Sequence, residues 1–193
     1  MARLIYSAIT SLDGFTEDAH GDFDWSAPDP EVHAFVNDAE RRVGTYLYGR
    51  RMFETMRFWQ SVETSPTAPP SPDVPPEAVD YATVWQAADK VVFSASLRPD
   101  EVTTPRTTLK RAFDVAAVRQ RKDEATADLS IGGPTIAAAA LRAGLVDELQ
   151  LYLNPVVVGA GKAALPARLH VDLRLVDEHR FSNGVVFVRY AVG

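Results

Sequence analysis

Residues 128–144, Asp-Leu-Ser-Ile-Gly-Gly-Pro-Thr-Ile-Ala-Ala-Ala-Ala-Leu-Arg-Ala-Gly, decide the reading of the fold. Leu129 to Ile131 suit a buried strand, and the Gly132-Gly133 pair ends it. Pro134 fits the first turn of a helix, and the alanine-rich stretch behind it reads as helix up to Gly144. Glycine allows close backbone approach to a ligand. A helix N-terminus adds unpaired N–H groups and a positive dipole end. The turn is therefore a candidate pyrophosphate cradle. It is equally compatible with a plain tight strand-to-helix turn, because it is neither GxGxxG nor a P-loop.

Outward from this turn, two more strand ends carry polar groups. Thr45 to Gly49 is a short β-rich run, and Arg50-Arg51 follow in the first turn of the next helix. Arginine there opposes the helix dipole unless an anion is bound. Its planar fork matches a phosphate, such as the 2′-phosphate of NADPH. A solvated arginine pair is the alternative. Lys90 to Ser94 reads as a buried strand, and the hydroxyls of Ser94 and Ser96 at its end could bond phosphate or ribose. Ligands of open α/β sheets bind beyond the carboxyl ends of strands, so three such turns count for more than one.

The remaining chain alternates strand and helix. Residues 3–9 read as a buried strand closed by Ser-Leu-Asp-Gly at 11–14. Residues 15–30 are rich in Asp, Gly and Pro and read as loop. Pro28-Asp29-Pro30 opens a helix with Val32, Phe35, Val36 and Ala39 at helical spacing. Residues 50–59 and 77–89 read as helices, 107–110 as a weak strand and 113–124 as an amphipathic helix. Residues 147–161 are β-rich. Residues 173–192 suit two strands around Ser182-Asn183-Gly184, a hairpin signal. The predicted fold class is α/β: a mixed, mostly parallel central sheet with helices on both faces and a C-terminal antiparallel hairpin. The whole chain, 1–193, is read as one domain. The Pro-rich loop at 65–76 lies within it, since the segments on either side have too few strands to stand alone.

Composition narrows the function classes. Of 193 residues, 46% are apolar and 24% charged, ordinary values for a globular chain. A net charge of −6 argues against a general nucleic-acid binder. The absence of cysteine removes disulfides, thiolate zinc sites and a cysteine nucleophile. The four histidines, at 20, 33, 170 and 179, show no metal spacing. No apolar run is long enough for a membrane span and no signal-peptide pattern opens the chain, so a cytoplasmic protein is expected.

The ordered set TSLDG (10–14), YLYGRRMFE (46–54), KVVFSASL (90–97), LSIGGPTIAAAAL (129–141) and GLVDELQLYLNPVVVGAGKAALP (144–166) resembles the dihydrofolate reductase superfamily. It is closest to the reductase domain of the bifunctional riboflavin-biosynthesis deaminase-reductase and its stand-alone relatives. The resemblance runs from about residue 3 to the C-terminus. It implies a dihydrofolate-reductase-like fold and an NADPH-dependent reductase. The activity would be like that of 5-amino-6-(5-phosphoribosylamino)uracil reductase or of dihydrofolate reductase, on a small pyrimidine-like, pterin-like or other planar substrate. A non-catalytic cofactor-binding or regulatory protein on the same fold is the alternative.

Carried over by motif, Gly49, Arg50 and Arg51 would face the cofactor phosphates. Ser94 and Ser96 would sit by the adenosine 2′-phosphate. Gly132, Gly133, Thr135 and Ile136 would line the pyrophosphate. Ala8 and Ile9 would edge the nicotinamide pocket, with Asp13 and Gly14 starting the loop over it. Dihydrofolate reductases place a carboxylate on the first helix. Here counting from Trp25 and Pro28 reaches Pro30, and counting back from Gly49 reaches His33. Asp13, Asp29 and His33 are therefore the candidate proton donors, with helix capping, turns and surface charge as their alternative roles. Phe23 and Trp25 could stack on a planar ring. Arg57, Lys162 or Arg168 could meet a substrate phosphate. The resemblance also implies a homodimer, to which the last strands could contribute.

Overall fold

The computed structural model describes residues 2–65, 67, 71 and 73–193. Its elements, in chain order, are β1 (Leu4–Ser11), β2 (Phe15–Asp18), α1 (Pro30–Glu40), β3 (Val43–Gly49), α2 (Arg50–Met56), α3 (Pro76–Ala87), β4 (Asp89–Phe93), β5 (Thr107–Lys110), α4 (Val115–Glu124), β6 (Asp128–Gly132), α5 (Pro134–Arg142), β7 (Glu148–Asn154), β8 (Gly161–Ala163), β9 (Leu173–Arg180) and β10 (Val186–Val192). Single 3₁₀ turns occur at Asp24–Ser26, Arg57–Ser61 and Pro99–Glu101.

Helix starts follow their local chemistry. Asp29 caps α1 by accepting the Val32 N–H at 2.9 Å, with Pro30 at the first helical position. Asp114 caps α4 through the Ala116 and Ala117 N–H groups. Pro76 and Pro134 open α3 and α5. No helix among the described residues is long and apolar enough to cross a membrane.

Eight strands form one sheet in the order β5-β4-β3-β6-β1-β7-β10-β9. The first six are parallel to one another, and β10 runs antiparallel to both β7 and β9. The dihydrofolate-reductase-like class expected from the sequence is the architecture observed. Side chains alternate across the sheet, so each face gathers its own core. Leu4, Tyr6, Leu47, Leu129, Ile131 and Leu149 pack with Val118 of α4 and Ile136, Ala137, Ala140 and Leu141 of α5. On the opposite face, Tyr46, Tyr48 and Val92 pack with Phe53 of α2 and Tyr81 and Trp85 of α3. Val32 of α1 packs there against Tyr152, Phe181 and Phe187.

Two sequence expectations change. Residues 15–30 are not all loop: Phe15–Asp18 pairs antiparallel with Gly161–Ala163, and Thr16 Oγ1 donates to the Lys162 carbonyl at 3.1 Å. That partner lies some 145 residues away, so no local pattern announces the strand. The helix after Gly49 stops at Met56 and tightens into a 3₁₀ turn instead of running on to Trp59. Within the expected Pro-rich loop at 65–76, residues 66, 68–70 and 72 lie outside the described residues, and Pro76 already belongs to α3.

Candidate active-site cleft

Strand order places the candidate turns together. β6 lies between β3 and β1, with Gly132 opposite Tyr48 and Ile131 opposite Tyr6. The carboxyl ends of β3 and β6 therefore present Gly49-Arg50 and Gly133-Pro134 beside Ser7-Ala8-Ile9, the stretch of β1 that runs on past the pairing with β6. A cleft of about 570 Å³ opens there. Its walls include Ala8, Ile9, Gly49, Arg50, Arg51, Gly132, Gly133, Thr135 and Ile136, together with Phe23, His33, Glu40, Tyr81 and Tyr152.

The glycine pair divides its labour. Gly133 is the N-cap of α5 at φ +97°, a left-handed conformation that glycine adopts without strain. Gly132 answers a packing demand: a Cβ there would stand 2.8 Å from Tyr48 Cε1 and 3.2 Å from Met52 Cε. Gly133 offers no capping side chain, so none covers the first-turn N–H groups of Thr135 and Ile136.

Both arginines after Gly49 are engaged. Arg50 Nε donates to Glu54 at 2.7 Å and its Nη1 donates to the Ser96 hydroxyl at 3.1 Å. Arg51 Nη1 donates to Glu17 at 3.1 Å. Such exposed ion pairs are weak, so an incoming phosphate can recruit either guanidinium. Ser94 Oγ accepts the N–H groups of Ser96 and Leu97, which shapes the turn after β4. Neither serine lines the cleft itself; Ser96 reaches it only through Arg50.

The three proton-donor candidates separate. Asp29 is spent on the α1 cap and lies outside the cleft lining. Asp13 is also outside it. Its carboxylate accepts Gly159 N–H at 2.7 Å and Val158 N–H at 3.2 Å, tying the first loop to the segment after β7. The Ser11 hydroxyl and those backbone donors hold the Asp13 carboxyl below the usual carboxylate range. His33 does line the cleft, between Trp59 and Tyr81, each edge-on with ring centroids 5.8 Å away. Its Nδ1 is 3.1 Å from Asn37 Oδ1, and Asn37 donates in turn to Asp80 and to the Glu77 carbonyl of α3. Phe23 lines the cleft, whereas Trp25 does not. Of Arg57, Lys162 and Arg168, only Lys162 does so.

Sequence reasoning missed Glu40. It stands in the last turn of α1, two turns beyond His33 on the same helix face. It is 6% exposed, yet it is part of the cleft lining, and its Oε2 has no hydrogen-bond partner among the described residues. Burial pushes its carboxyl up to about 7, with the neighbouring Tyr46 hydroxyl and the Arg42 charge opposing the shift. The available signal was an acid at i+7 from His33, on the helix face that also carries Val36 and Asn37. Tyr46, Tyr81 and Tyr152, also in this wall, read in the sequence only as β-formers and helix core.

Fold and cleft together define a dihydrofolate-reductase-like α/β protein with an open cleft at the carboxyl edge of the sheet. Residues 2–187 match the RibD C-terminal domain, and the chain belongs to that family. It is 28% identical over 189 residues to the uncharacterized protein YyaP of Bacillus subtilis (strain 168), covering 97% of this chain and 94% of that one. Among solved structures it is similar to a proposed riboflavin biosynthesis protein from Shewanella sp. PV-4, with a TM-score of 0.74 and 18% identity over 100% of this chain and 99% of the other. It is also similar to Enterococcus faecalis dihydrofolate reductase complexed with NADP(H), with a TM-score of 0.61 and 13% identity over 99% and 96% of the two chains. At such identities the likeness to the two structures is one of fold.

Proposed function

We propose that this protein is an NADPH-dependent oxidoreductase that reduces a small planar or heterocyclic substrate. The observation that carries this reading is the continuity of the cleft, from the Gly133–α5 turn and the Arg50-Arg51 pair, past Ala8 and Ile9, into an aromatic pocket. The residues present fit the cofactor. Bare backbone at Gly49 and Gly133 and the uncapped N-terminus of α5 suit a pyrophosphate. Arg50, braced by Ser96, and Arg51 suit a further phosphate. Ala8 and Ile9 would edge the nicotinamide. NADPH supplies the hydride when bound. The chain's own residues orient the two partners and keep water out: Phe23, Trp59 and Tyr81 offer flat surfaces for a planar ring, and His33 is in reach of the same space.

Family membership supports a riboflavin-pathway pyrimidine or a pterin-like ring as the substrate type. Titration with NADPH and with NADH, followed by nucleotide fluorescence, tests the reading. Binding of neither at high micromolar concentration would overturn it. A second reading, a cofactor-binding or regulatory protein without turnover, is favoured by His33, which is not an acid, at one position where the superfamily resemblance expects one. NADPH consumption across pyrimidines, pterins and quinones separates the two. For the homodimer, the strand that supports an interface is β9. It lies at the sheet edge, exposed along its whole length, with Leu173, Leu175 and Val176 40–51% exposed.

A further inference from the structure

Arg50 and Arg51 both hold carboxylates, but the two acids stand in different places. Glu54, the partner of Arg50, is one turn along the same helix and does not line the cleft. Glu17, the partner of Arg51, comes from β2 and lines the cleft, as Arg51 does. Glu17 Oε1 accepts from Arg51 Nη1 at 3.1 Å, and its side chain is only 20% exposed. The turn that follows β2 rests on the same guanidinium: a Cβ on Gly21 would stand 3.8 Å from Arg51 Nη2. Asp18 Oδ1 fixes that turn by accepting the N–H groups of His20 and Asp22. In the pairing of β2 with β8, Glu17 stands opposite Lys162, a second cation of the cleft lining. Lys162 has no carboxylate within ion-pair distance among the described residues, since Glu17 is turned to Arg51.

We infer that Glu17 is a built-in competitor for the phosphate seat on Arg51, that it thereby sets how strongly the cleft prefers a dinucleotide with a 2′-phosphate, and that it passes to Lys162 when a phosphate takes the guanidinium. This rests on the reading of Arg51 as a residue that meets a cofactor phosphate. The planar fork of a guanidinium fits carboxylate and phosphate alike. A carboxylate left beside a bound phosphate repels it. Arg51 is therefore open to a ligand only for the fraction of time that Glu17 is away, and the observed affinity falls by that fraction. The ion pair is weak, so the phosphate still wins, with a modest loss of affinity. Lys162 reduces the loss, because residues directly opposite on antiparallel strands share a face and long side chains there meet. Glu54 exerts no such competition, because it stands outside the cleft lining.

Fluorescence titration of the protein with NADPH and with NADH tests this. Glu17→Gln keeps the size of the side chain and removes its charge. It is expected to tighten NADPH about three- to fivefold, the worth of one exposed ion pair, and to leave NADH within about 1.5-fold. Loss of any negative charge near an anionic ligand acts in the same direction, so two controls separate contact from charge. Glu17→Asp keeps the charge and draws the carboxylate back from Arg51 by one methylene; it is expected to tighten NADPH about twofold. In an Arg51→Ala background, Glu17→Gln is expected to leave NADPH within about 1.5-fold. Lys162→Met is expected to weaken NADPH about twofold in the native protein and to have no effect beside Glu17→Gln.

Unchanged NADPH affinity in Glu17→Gln, an equal gain for NADPH and NADH, or a gain that survives Arg51→Ala would each overturn the inference. Native affinity in Glu17→Asp would assign the effect to charge alone and overturn it as well. A loss from Lys162→Met that persists beside Glu17→Gln would put Lys162 on the nucleotide itself and overturn the exchange. Glu17→Asp decides the matter even if Glu17→Gln does not fold. NADPH binding that is indifferent to Glu17 removes only this inference and leaves the reductase reading. Absence of NADPH binding in all of these proteins removes the reductase reading, and this inference with it.

Discussion

The Arg50 guanidinium reaches 3.1 Å across the cleft rim to donate to the hydroxyl of Ser96, joining the first turn of α2 to the turn after β4. Two strand ends separated by 46 residues thereby form one polar corner. Arg50 also holds Glu54, and Arg51 holds Glu17, so the corner is charged, paired and half-open to solvent.

That corner is expected to discriminate between dinucleotides. Arg50→Ala and Arg51→Ala should weaken NADPH by about tenfold each, the worth of one charge-assisted hydrogen bond, while NADH changes little. Fluorescence titration of both nucleotides against both variants checks this. Parallel losses for NADPH and NADH would remove the 2′-phosphate role.

Gly132 should behave as a packing residue. Gly132→Ala drives a methyl to 2.8 Å from the Tyr48 ring, which is buried and stacked on Tyr46 with centroids 5.5 Å apart. Overpacking of this kind costs about 1–3 kcal/mol, or roughly 3–10 °C in Tm for a chain of this size. Thermal unfolding followed by circular dichroism measures it. A variant as stable as the native protein would mean that the Tyr46–Tyr48 pair can shift without cost.

Glu40 should make stability fall with rising pH. Its folded-state value is raised from 4.5 to about 7. The folded protein therefore holds a proton that the unfolded chain has released, and the penalty grows between about pH 4.5 and pH 7. Below that window both states are protonated and the penalty vanishes; above it the penalty is complete, of order ~3 kcal/mol at most. Urea unfolding of native protein and Glu40→Gln at pH 4.5 and pH 8 should show the variant gaining relative stability at the higher pH. An identical difference at both pH values would show that the carboxyl does not change charge on that wall.

The exposed edge of β9 should govern association. Leu175→Asp with Val176→Asp places like charges on the outer strand of the sheet, which blocks strand-to-strand pairing and apolar contact alike. Sedimentation velocity of the native protein should give a dimer and the double variant a monomer. A native monomer, or a variant dimer of unchanged affinity, would exclude this edge as the interface.

Local chemistry made much of this protein legible from sequence alone. The strand–Gly–Gly–Pro–helix pattern at 128–144 set the α/β class, because hydrophobic period, glycine freedom and the proline start of a helix all act within a few residues. The same local rules marked Asp29 as a possible cap and Ser182-Asn183-Gly184 as a hairpin turn. Other features needed the assembled sheet. The insertion of β6 between β3 and β1 brings the Gly49-Arg50 and Gly132-Gly133 turns together beside Ser7-Ala8-Ile9, and β2 exists only because residues 161–163 lie beside it. Glu40 is the sharpest case. Its sequence neighbours make it an ordinary acid near a helix end, and its charge becomes costly only once Tyr46, Tyr81 and Tyr152, drawn from three other elements, close around it. Burial and the loss of partners are long-range properties. Tertiary structure therefore gave the glycine turn its neighbours and gave the cleft lining its buried acid.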